Sequence, residues 1–373
     1  MLNPSVVDAR SVALGRTEVL SSINSTAMFS NPGALAMLTT RHGQLGGRML
    51  MGSISDEGAE DYYDSYAYKL TPQFSINHFA VAMPYTPAGS EMNLAFGFGF
   101  RTYFDLDVNT ELKRSIDEYD WSTVGDTRGG LKMLTPTLAV NIYDQYFLGV
   151  AFNSSTSGTI EQNWKFTDSD GSSERGKMET DHSAKFLQYG GIARINPQLT
   201  VGFMLRPTFT WKFTESRETD DEGIETTDDT GFDYSIPGIL GLGVSIQTSP
   251  SRLITIEYQT RKFSELEEDG ETVEGIDDGA CFRLGFERQG TTLWRFGFFS
   301  DDQMLTDEDD EKPKPQMGIT WGFGTKLGTM HLDTFAEYSI ITREYQDFVE
   351  SDYVNREDSY SNFRIGFSLS TEF

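Results

Sequence analysis

Long stretches of this 373-residue sequence alternate large apolar residues with small or polar ones, and this alternation constrains the fold more than any other feature. A period of two places successive side chains on opposite faces of a β-strand. From Leu94 to Arg101, for example, Leu or Phe occupies every second position, and Ala, Gly or Arg occupies the positions between. The pattern predicts an all-β protein.

About fourteen such segments follow one another along the chain after residue 43. The predicted strands are Gln44–Ile54, Tyr68–Met83, Met92–Leu106, Leu131–Ile142, Tyr146–Trp164, Ala184–Ile195, Leu199–Thr214, Phe232–Gln247, Leu253–Phe263, Ala280–Arg288, Thr292–Phe299, Gln316–Lys326, Thr329–Tyr345 and Tyr360–Phe373. Long acidic connections alternate with short turns. The acidic connections are Asp56–Asp64, Asp107–Arg128, Lys165–Ser183, Glu215–Thr230, Glu265–Asp278, Asp301–Pro315 and Gln346–Ser359. The short turns are Pro84–Glu91, Asp144-Gln145, Asn196-Pro197, Ser249-Pro250-Ser251, Gln289-Gly290 and Leu327-Gly328.

This regular alternation of long and short connections is typical of one class of β-protein. Bacterial outer-membrane barrels have short periplasmic turns, longer outer loops and an even number of strands. A soluble β-sandwich gives no reason for the alternation to persist over fourteen strands. We therefore predict a 14-stranded antiparallel transmembrane β-barrel with both termini on the short-turn, periplasmic side.

The two faces of the predicted strands differ in a way that fits lipid outside and a filled lumen inside. In Ala280–Arg288, one face carries Phe282 and Phe286, and the other carries Arg283 and Glu287. Large apolar residues facing out and small or ionic residues facing in are typical of a lipid-embedded barrel. In the seventh strand, one shared face is predicted to carry Val201, Phe203, Leu205, Phe209, Trp211 and Phe213.

Composition argues against several other classes of protein. The chain has 57 Asp and Glu against 30 Lys and Arg, a formal charge of −27, which disfavours binding to nucleic acid. No apolar run approaches the roughly 18 residues that a transmembrane helix needs. Cys281 is the only cysteine, which excludes an internal disulfide and a multi-cysteine metal site. We predict that Cys281 is a small residue on the lumen side.

The start of the chain has no signal-peptide pattern, because Met1–Ser5 lacks a basic region and an apolar region. The protein is therefore either not exported, or this is the mature form with an added start Met. The strand pattern favours the second, so we expect an integral protein of the bacterial outer membrane whose signal peptide is absent from this chain.

One long segment near the start, Asp8–Ala36, does not alternate. A turn signal at Asn31-Pro32-Gly33 precedes a predicted short helix, Gly33–Leu38. We interpret residues 1–40 as a plug inside a barrel formed by residues 41–373. The alternative is an irregular leader that merely precedes the first strand.

Two motifs lie in this segment: Ala13-Leu14-Gly15 and Ala27-Met28-Phe29-Ser30-Asn31-Pro32-Gly33-Ala34-Leu35-Ala36. They resemble the opening of the FadL/TodX family of outer-membrane transporters, which includes PorV-like relatives, although Gly33 and Ala34 stand where members usually have Ala and Gly. The resemblance implies a plugged barrel that takes up hydrophobic molecules, such as long-chain fatty acids or hydrocarbons, and releases them through a lateral opening. It also implies a plug or ligand role for Ser30, Asn31, Pro32, Gly33 and Ala34.

Two other functions stay open at this point. A PorV-like or structural barrel would use its acidic outer loops to bind a partner protein or lipopolysaccharide, and a general porin would pass small solutes. The acidic loops lack the apolar residues with which fatty-acid transporters of this family gather ligand. They also repel a carboxylate over a screening length of about 8 Å. Fatty acids are therefore disfavoured as the cargo.

Six arginines are predicted on the lumen side of the strands: Arg48, Arg101, Arg206, Arg283, Arg295 and Arg364. One interpretation is a basic track for a carboxylate head group. The other, which we favour, is internal pairing with the plug and with acidic residues of the wall. Those acidic residues are Glu257, Glu287, Asp333 and Glu337.

The remaining motifs predict no chemistry. Asp301-Asp302 and Asp307–Glu311 are the densest acidic runs. They lack the residue spacing of a calcium-binding loop, so we expect solvent-exposed charge there and no divalent-ion site. The four histidines lie outside known hydrolase motifs, so we expect no catalysis, no metal and no cofactor. The terminal Phe373 resembles the signal that the barrel-assembly machinery recognises. Further contacts are expected with outer-membrane lipid and lipopolysaccharide.

Overall fold

In a computed structural model, the described residues of the protein are 6, 8–57, 65–90, 92–106, 108–116, 119–156, 158–221, 224–304, 315–349 and 352–373. The helical elements are α1 (Ala9–Ala13) and the 3-10 helices Ser25–Phe29, Pro32–Met37 and Phe263–Glu265. Within the described part of the chain, no helix is long and apolar enough to cross a membrane.

Strands make up most of the rest. The first eleven are β1 (His42–Glu57), β2 (Ser65–Leu70), β3 (Gln73–Tyr85), β4 (Met92–Asp105), β5 (Val108–Ile116), β6 (Tyr119–Arg128), β7 (Gly130–Ile142), β8 (Tyr146–Ser155), β9 (Gly158–Thr167), β10 (Ser173–Asn196) and β11 (Leu199–Arg206). The others are β12 (Phe209–Asp221), β13 (Ile224–Ile236), β14 (Ile239–Ser249), β15 (Arg252–Arg261), β16 (Glu267–Glu268), β17 (Glu271–Thr272), β18 (Gly279–Arg288), β19 (Leu293–Asp301), β20 (Gln316–Leu327), β21 (Met330–Val349) and β22 (Asp352–Glu372).

Fourteen of these strands form a closed antiparallel ring. The ring runs through β1, β3, β4, β7, β8, β10, β11, β14, β15, β18, β19, β20, β21 and β22. It closes because β22 pairs with β1 from His42 opposite Glu372 to Glu57 opposite Glu357. Closure leaves neither β1 nor β22 as a free edge strand, as a barrel in lipid requires. The prediction of a 14-stranded antiparallel barrel is confirmed.

The two faces of the ring strands differ as the sequence predicts. On β18, Phe282 and Phe286 are 45% and 36% exposed on the outer wall, whereas Arg283 and Glu287 are only 3% and 2% exposed in the interior. Cys281 is buried on the same inward parity as Arg283. A belt of exposed apolar side chains around a closed barrel is the kind of surface that a bilayer covers.

Four of the seven long acidic connections are mostly strand in the structure, so the prediction of loops was wrong for these four. β5 and β6 occupy Asp107–Arg128, β9 and the start of β10 occupy Lys165–Ser183, and β12 and β13 occupy Glu215–Thr230. The outer ends of β21 and β22 likewise take up most of Gln346–Ser359. These strands continue the wall beyond the ring, where polar residues on both faces remove the apolar period-two signal.

Several strands of the wall are interrupted, and beyond an interruption the side chains that point into the barrel can have the opposite sequence parity. β11 ends at Arg206 and β12 begins at Phe209, with Pro207 between them. Proline has no backbone N–H to donate to the ladder, so the strand breaks at Pro207. A shift of one residue in the strand moves its side chains to the opposite face, and Phe209 and Trp211 therefore point into the barrel. Both are 5% exposed, against 39% for Phe203 on the outer wall. The prediction that the seventh strand keeps one apolar face was therefore wrong.

The N-terminal segment, residues 8–38, lies inside the barrel. Its helix α1 packs against β19, β20, β21 and β22, and the 3-10 helix Pro32–Met37 packs against β7, β8 and β10 on the other side. This 3-10 helix falls where the sequence predicts a short helix at Gly33–Leu38. The division into a plug of residues 1–40 and a barrel of residues 41–373 stays a prediction, because the segment is part of the barrel core.

Candidate functional site in the barrel lumen

The predicted plug motif is buried against the barrel wall. Asn31 is fully buried, its Oδ1 accepts from the Gly33 backbone nitrogen at 3.1 Å, and its Nδ2 donates to the Val19 carbonyl at 2.8 Å. The wall makes room through glycine, since a Cβ at Gly149 would lie 2.6 Å from the nitrogen of Gly33 and closer still to Pro32. The motif thus holds a tight turn against β8 and β10. Whether Ser30, Asn31, Pro32, Gly33 and Ala34 also contact a ligand stays a prediction.

One half of the lumen is an ion-paired network that ties the N-terminal segment to the wall. Arg10 contacts Glu287 of β18 at 2.9 Å, and Arg16 contacts Glu337 of β21 at 2.7 Å. Arg16 also contacts Asp301 of β19 at 3.1 Å. All five charged groups are buried or nearly so, which makes their attraction stronger than that of surface pairs. Asp301, predicted as part of an outer acidic run, is therefore an interior residue.

Three of the six predicted lumen arginines belong to this network. Their partners are the acidic residues that the sequence suggested: Arg283 pairs with Glu257 at 3.3 Å, Arg295 with Glu287 at 2.7 Å and Asp333 at 2.6 Å, and Arg364 with Glu337 at 2.6 Å. A fourth, Arg48, is buried on β1. Internal pairing therefore describes this half of the lumen.

Arg101 and Arg206 differ from the others. Among the described residues, neither has a carboxylate within ion-pair distance, although they are only 2% and 3% exposed. Arg101 Nη1 donates to the Phe29 carbonyl at 2.8 Å. Arg206 donates from Nη2 to the Pro237 carbonyl at 2.6 Å and from Nη1 to the hydroxyl of Tyr103. These hydrogen-bond partners are neutral, so they do not compensate the positive charge of the two guanidinium groups.

These two arginines line a small crevice above the N-terminal segment, which we call the arginine crevice. Its volume is about 20 Å³, and its lining comprises Glu18, Phe29, Ser30, Arg101, Tyr103, Gln188, Met204, Arg206, Ile239, Gln259 and Arg261. Three buried donors in this lining, Ser30 Oγ, Arg101 Nε and Arg206 Nε, have no hydrogen-bond partner among the described residues. Buried donors are normally satisfied, and a crevice of this size holds about one water-sized group.

An aromatic cluster lies beside the crevice in the same half of the lumen; it consists of Tyr103, Phe104, Phe186, Phe209 and Trp211. Phe186 and Phe209 are stacked with centroids 4.4 Å apart, and Phe104 and Trp211 are stacked at 5.1 Å. Tyr103 joins the cluster to the crevice, because Arg101 lies 4.5 Å from its ring centroid. Aromatic surfaces of this kind bind flat apolar rings by offset stacking and edge contacts.

Nothing in the strand pattern points to this cluster, because two backbone irregularities create it. One is the break at Pro207, and the other is a register shift between Thr102 and Phe104, where β4 pairs with β7. The shift turns both Tyr103 and Phe104 inward, at 1% and 4% exposure. Proline inside a strand-like run is the signal that could have warned of the first irregularity.

The wall has a gap next to this half of the lumen. The β3–β4 ladder ends where His78 pairs with Arg101, and pairing resumes beyond it only where Leu70 of β2 pairs with Thr110 of β5. On the other edge of β3, Asn77 is the extra residue of a bulge opposite β1. Next to the Leu70 pair, the Thr71 backbone nitrogen still donates to the Asn109 carbonyl at 3.2 Å. Within the described residues, Gln73–Asn77 and Thr102–Leu106 form no ladder with each other.

Other candidate chemistry finds little support in the described part of the chain. It contains no group of three or more His, Cys, Asp or Glu residues that could hold a metal ion. The predicted acidic run Asp307–Glu311 lies outside the described residues.

At the rim of the barrel opposite the short turns, Lys262 Nζ contacts Asp278 at 2.5 Å, and Ser264 Oγ donates to the same carboxylate at 2.6 Å. The hydrogen bonds from Lys262 and Ser264 lower the pKa of Asp278, and Asp278 raises the pKa of Lys262.

The fold and lumen together define a class: a closed fourteen-stranded barrel whose N-terminal segment is packed inside. Solved structures with a similar fold include a Pseudomonas aeruginosa FadL homologue, with 14% identity and a TM-score of 0.69, covering 100% of this chain and 99% of that one. The Pseudomonas putida toluene transporter TodX matches with 12% identity and a TM-score of 0.66, covering 100% and 99%. The Ralstonia pickettii toluene transporter TbuX matches with 13% identity and a TM-score of 0.65, with the same coverage.

These likenesses establish that the chain has the FadL/TodX fold over its whole length, in agreement with the sequence resemblance. No protein-family model matches the chain, and comparison with curated proteins gives no match. The identity of the cargo therefore rests on the residues of this chain's own lumen.

Proposed function

We propose that the protein is an integral outer-membrane channel for the uptake of hydrophobic small molecules, and that aromatic compounds are its preferred cargo. The observation that carries the proposal is the aromatic cluster, which brings five aromatic side chains into the lumen of a barrel directly beside the N-terminal segment. Solved barrels with the same fold are named as toluene transporters and a monoaromatic hydrocarbon channel. Long-chain fatty acids are the less favoured cargo, because the cluster offers stacked rings and the outer strands are acidic.

The proposed route begins at the aromatic cluster and meets the N-terminal segment at Phe29 and Ser30. Displacement of this tip would open the lumen toward the gap between β3 and β4, which is the proposed lateral exit. Its support is geometric: Arg101, at the inner edge of the gap, bonds the carbonyl of Phe29. Replacing Asn77, the bulge residue beside the gap, by Trp should slow uptake while leaving binding at the cluster intact.

A general porin is less consistent with the lumen. The N-terminal segment packs against both sides of the wall, and the arginine crevice has a volume of only about 20 Å³. Single-channel conductance separates the two functions, since a porin passes a steady ionic current through an open lumen.

A crystal of the protein soaked with iodobenzene tests the proposed cargo class, because the iodine atom gives an anomalous signal. Density against Phe209 and Trp211 is the expected result. Density confined to the lipid-facing wall, for example around Trp294, would show that the compound only partitions onto the apolar belt, and the proposal would then be wrong. A Trp211→Ala crystal is the matched control, in which the lumen density should weaken and the wall density should persist.

A further inference from the structure

Two arginines lie side by side on the lipid-facing wall, at the short-turn end of the barrel. Arg252 begins β15, Arg288 ends β18, and the two residues are directly paired across the strands. Both are exposed, and Arg288 shares the outward parity of Phe286. Side chains directly opposite each other on antiparallel strands have Cβ atoms about 4.5–5.5 Å apart, and like charges at that distance repel. We call Arg252 and Arg288 the arginine pair.

Among the described residues, no acidic side chain offsets the repulsion within the arginine pair. Neither member has a carboxylate within ion-pair distance in that part of the chain. The residues paired with them on the two outer sides, Ser249 and Trp294, are uncharged. This is unexpected in a chain with 57 acidic residues against 30 basic ones. An anion supplied from outside the chain would stabilise both guanidinium groups.

An apolar groove, which we call the outer groove, lies on the same wall further from the short turns. Its volume is about 710 Å³. Strand β10 places only Gly191 and Ala193 on the outward side of this groove, and Gly191 is paired with the larger Leu148 and Phe203 on the two neighbouring strands. The lining includes Leu148, Ala193, Phe203, Leu242, Ile256 and Tyr258.

One lipid molecule can reach both features. Ile256 of the outer groove follows Arg252 by four residues on the same face of β15, a distance of about 13 Å at the usual rise of a strand. An acyl chain spans half of a hydrocarbon core that is about 30 Å thick. Trp294, paired with Arg288 and 51% exposed, is the type of residue that lies at head-group depth. A phosphate at the arginine pair therefore leaves an acyl chain within reach of the groove.

We propose that the arginine pair and the outer groove form a binding site for an anionic phospholipid. The two guanidinium groups donate hydrogen bonds to the phosphate oxygens, and one acyl chain lies in the groove. Because the short-turn end is predicted to face the periplasm, the lipid belongs to the inner leaflet of the outer membrane. The site lies on the outside of the wall, so it is separate from the proposed uptake route. Bound lipid stabilises the barrel, since it binds the folded wall and not the unfolded chain.

Native mass spectrometry of the detergent-purified full chain tests the proposal, with phosphatidylglycerol and phosphatidylcholine of identical acyl chains as probes. Both lipids carry a phosphate, but only phosphatidylglycerol has a net negative charge. We expect the wild type to bind phosphatidylglycerol roughly tenfold or more tightly, since each basic residue beside anionic lipid contributes about fivefold. Arg252→Gln and Arg288→Gln should each reduce this preference about fivefold, and the double variant should bind the two lipids equally.

The matched control for charge is Arg194→Gln. Arg194 is exposed at the same end of the barrel, but its guanidinium lies 4.8 Å from the ring of the buried Phe147, on the lumen side. This variant should keep the full preference. Arg252→Lys, which keeps the charge and loses the planar fork, should retain a reduced preference. The arginine pair lies on the outer wall, so substitutions there leave the lumen and the N-terminal segment unchanged.

A second pair of variants tests the groove. Ala193→Phe fills the outer groove, so it should weaken binding of both lipids by a similar factor and leave their ratio unchanged. Ala336→Phe makes the same change on β21, on another part of the wall, and should leave both affinities unchanged.

Several outcomes would overturn the proposal. Equal binding of the two lipids by the wild type would show that the arginine pair does not select an anionic head group, and this result needs no variant. A preference that survives in the double variant would place the lipid elsewhere. Inorganic phosphate bound in place of both lipids would show a site for a free anion. A dimer that is lost in Ala193→Phe would show that a second copy of the chain occupies the groove.

Discussion

Arg16 of the N-terminal segment holds Glu337 of β21 with two hydrogen bonds, from Nε to Oε2 at 2.9 Å and from Nη2 to Oε1 at 2.7 Å. The guanidinium group also lies 3.8 Å from the ring centroid of Phe299. Glu337 in turn accepts two bonds from Arg364 of β22. This clamp fixes the half of the segment around α1, whereas the half around Phe29 is held by apolar contacts and by hydrogen bonds to its backbone carbonyls. We expect the second half to be the part that moves.

The clamp gives the first prediction. Arg16→Gln removes one partner of a buried ion pair, and such a loss destabilises the packed segment by about 3 kcal/mol or more. We expect the lower end of this range, because Arg364 still pairs with Glu337. If that cost loosens the segment, the displaced state becomes roughly 100-fold more populated. Planar-bilayer recording should then show frequent openings. Arg288→Gln is the control, and conductance equal to the control would contradict the clamp.

A second prediction concerns the close approach of wall and segment at Gly149. Its replacement by Ala drives a methyl group into the backbone of Pro32 and Gly33, and such overpacking costs about 1–3 kcal/mol. Faster hydrogen exchange over residues 30–36 should follow. At Gly231 the same change is harmless, because the nearest atom to the added Cβ is 3.7 Å away. Equal exchange in the two variants would show that the segment does not press on β8.

A third prediction concerns ligand affinity at the aromatic cluster. Trp211 stacks on Phe104 and lies 4.6 Å from Phe213, and one aromatic pair is worth about 0.5–1.5 kcal/mol. Trp211→Ala should therefore weaken toluene binding roughly 2- to 10-fold in a calorimetric titration. Trp294, 51% exposed on the outer wall, provides the matched control. If Trp294→Ala weakened toluene binding by the same factor, the measured heat would come from toluene partitioning onto the detergent-covered outer wall.

The rim contact between Lys262 and Asp278 gives a pH prediction. Hydrogen bonds from Lys262 and Ser264 lower the pKa of Asp278 below its usual 3.8, so their stabilisation is present above pH 3.8 and is lost as the pH falls through the lowered value. The pKa of Lys262 is raised above 10.5, so its stabilisation is present below pH 10.5 and is lost at higher pH through the raised value. Proteolysis of residues 262–278 should be constant between these limits and rise outside them.

Asp278→Asn should make that segment equally sensitive across the whole range. Asp170→Asn removes an exposed carboxylate on a different outer turn and serves as the control. A wild-type segment whose cleavage does not depend on pH would show that the contact does not hold the rim.

The sequence predicted the parts of this molecule in which apolar and polar residues alternate over many positions. Every ring strand carries the alternation of a wall between lipid and lumen, so strand number, turn positions and outward residues such as Phe282 follow from it. The partners Glu257, Glu287 and Glu337 of Arg283, Arg295 and Arg364 were also foreseeable, because each lies directly opposite its arginine on the neighbouring strand.

The aromatic cluster was not foreseeable, because it depends on departures from that rule. Alternation carried through Pro207 sends Phe209 and Trp211 to the lipid, and only the break in the strand brings them inside. The isolation of Arg101 and Arg206 was hidden for a related reason. A sequence pattern shows that a residue faces the lumen. It does not show which side chains from the other side of the barrel contact that residue.

Uptake by intact cells tests the central claim most directly. A bacterial host without its own hydrocarbon channels would express the wild type, the Trp211→Ala variant or the Trp294→Ala variant, and the initial rate of radiolabelled toluene entry would be measured. We predict entry several-fold faster with the wild type and with Trp294→Ala than with an empty vector, and a clear reduction with Trp211→Ala. Equal rates for wild-type and empty-vector cells, with the protein present in the outer membrane, would contradict the account.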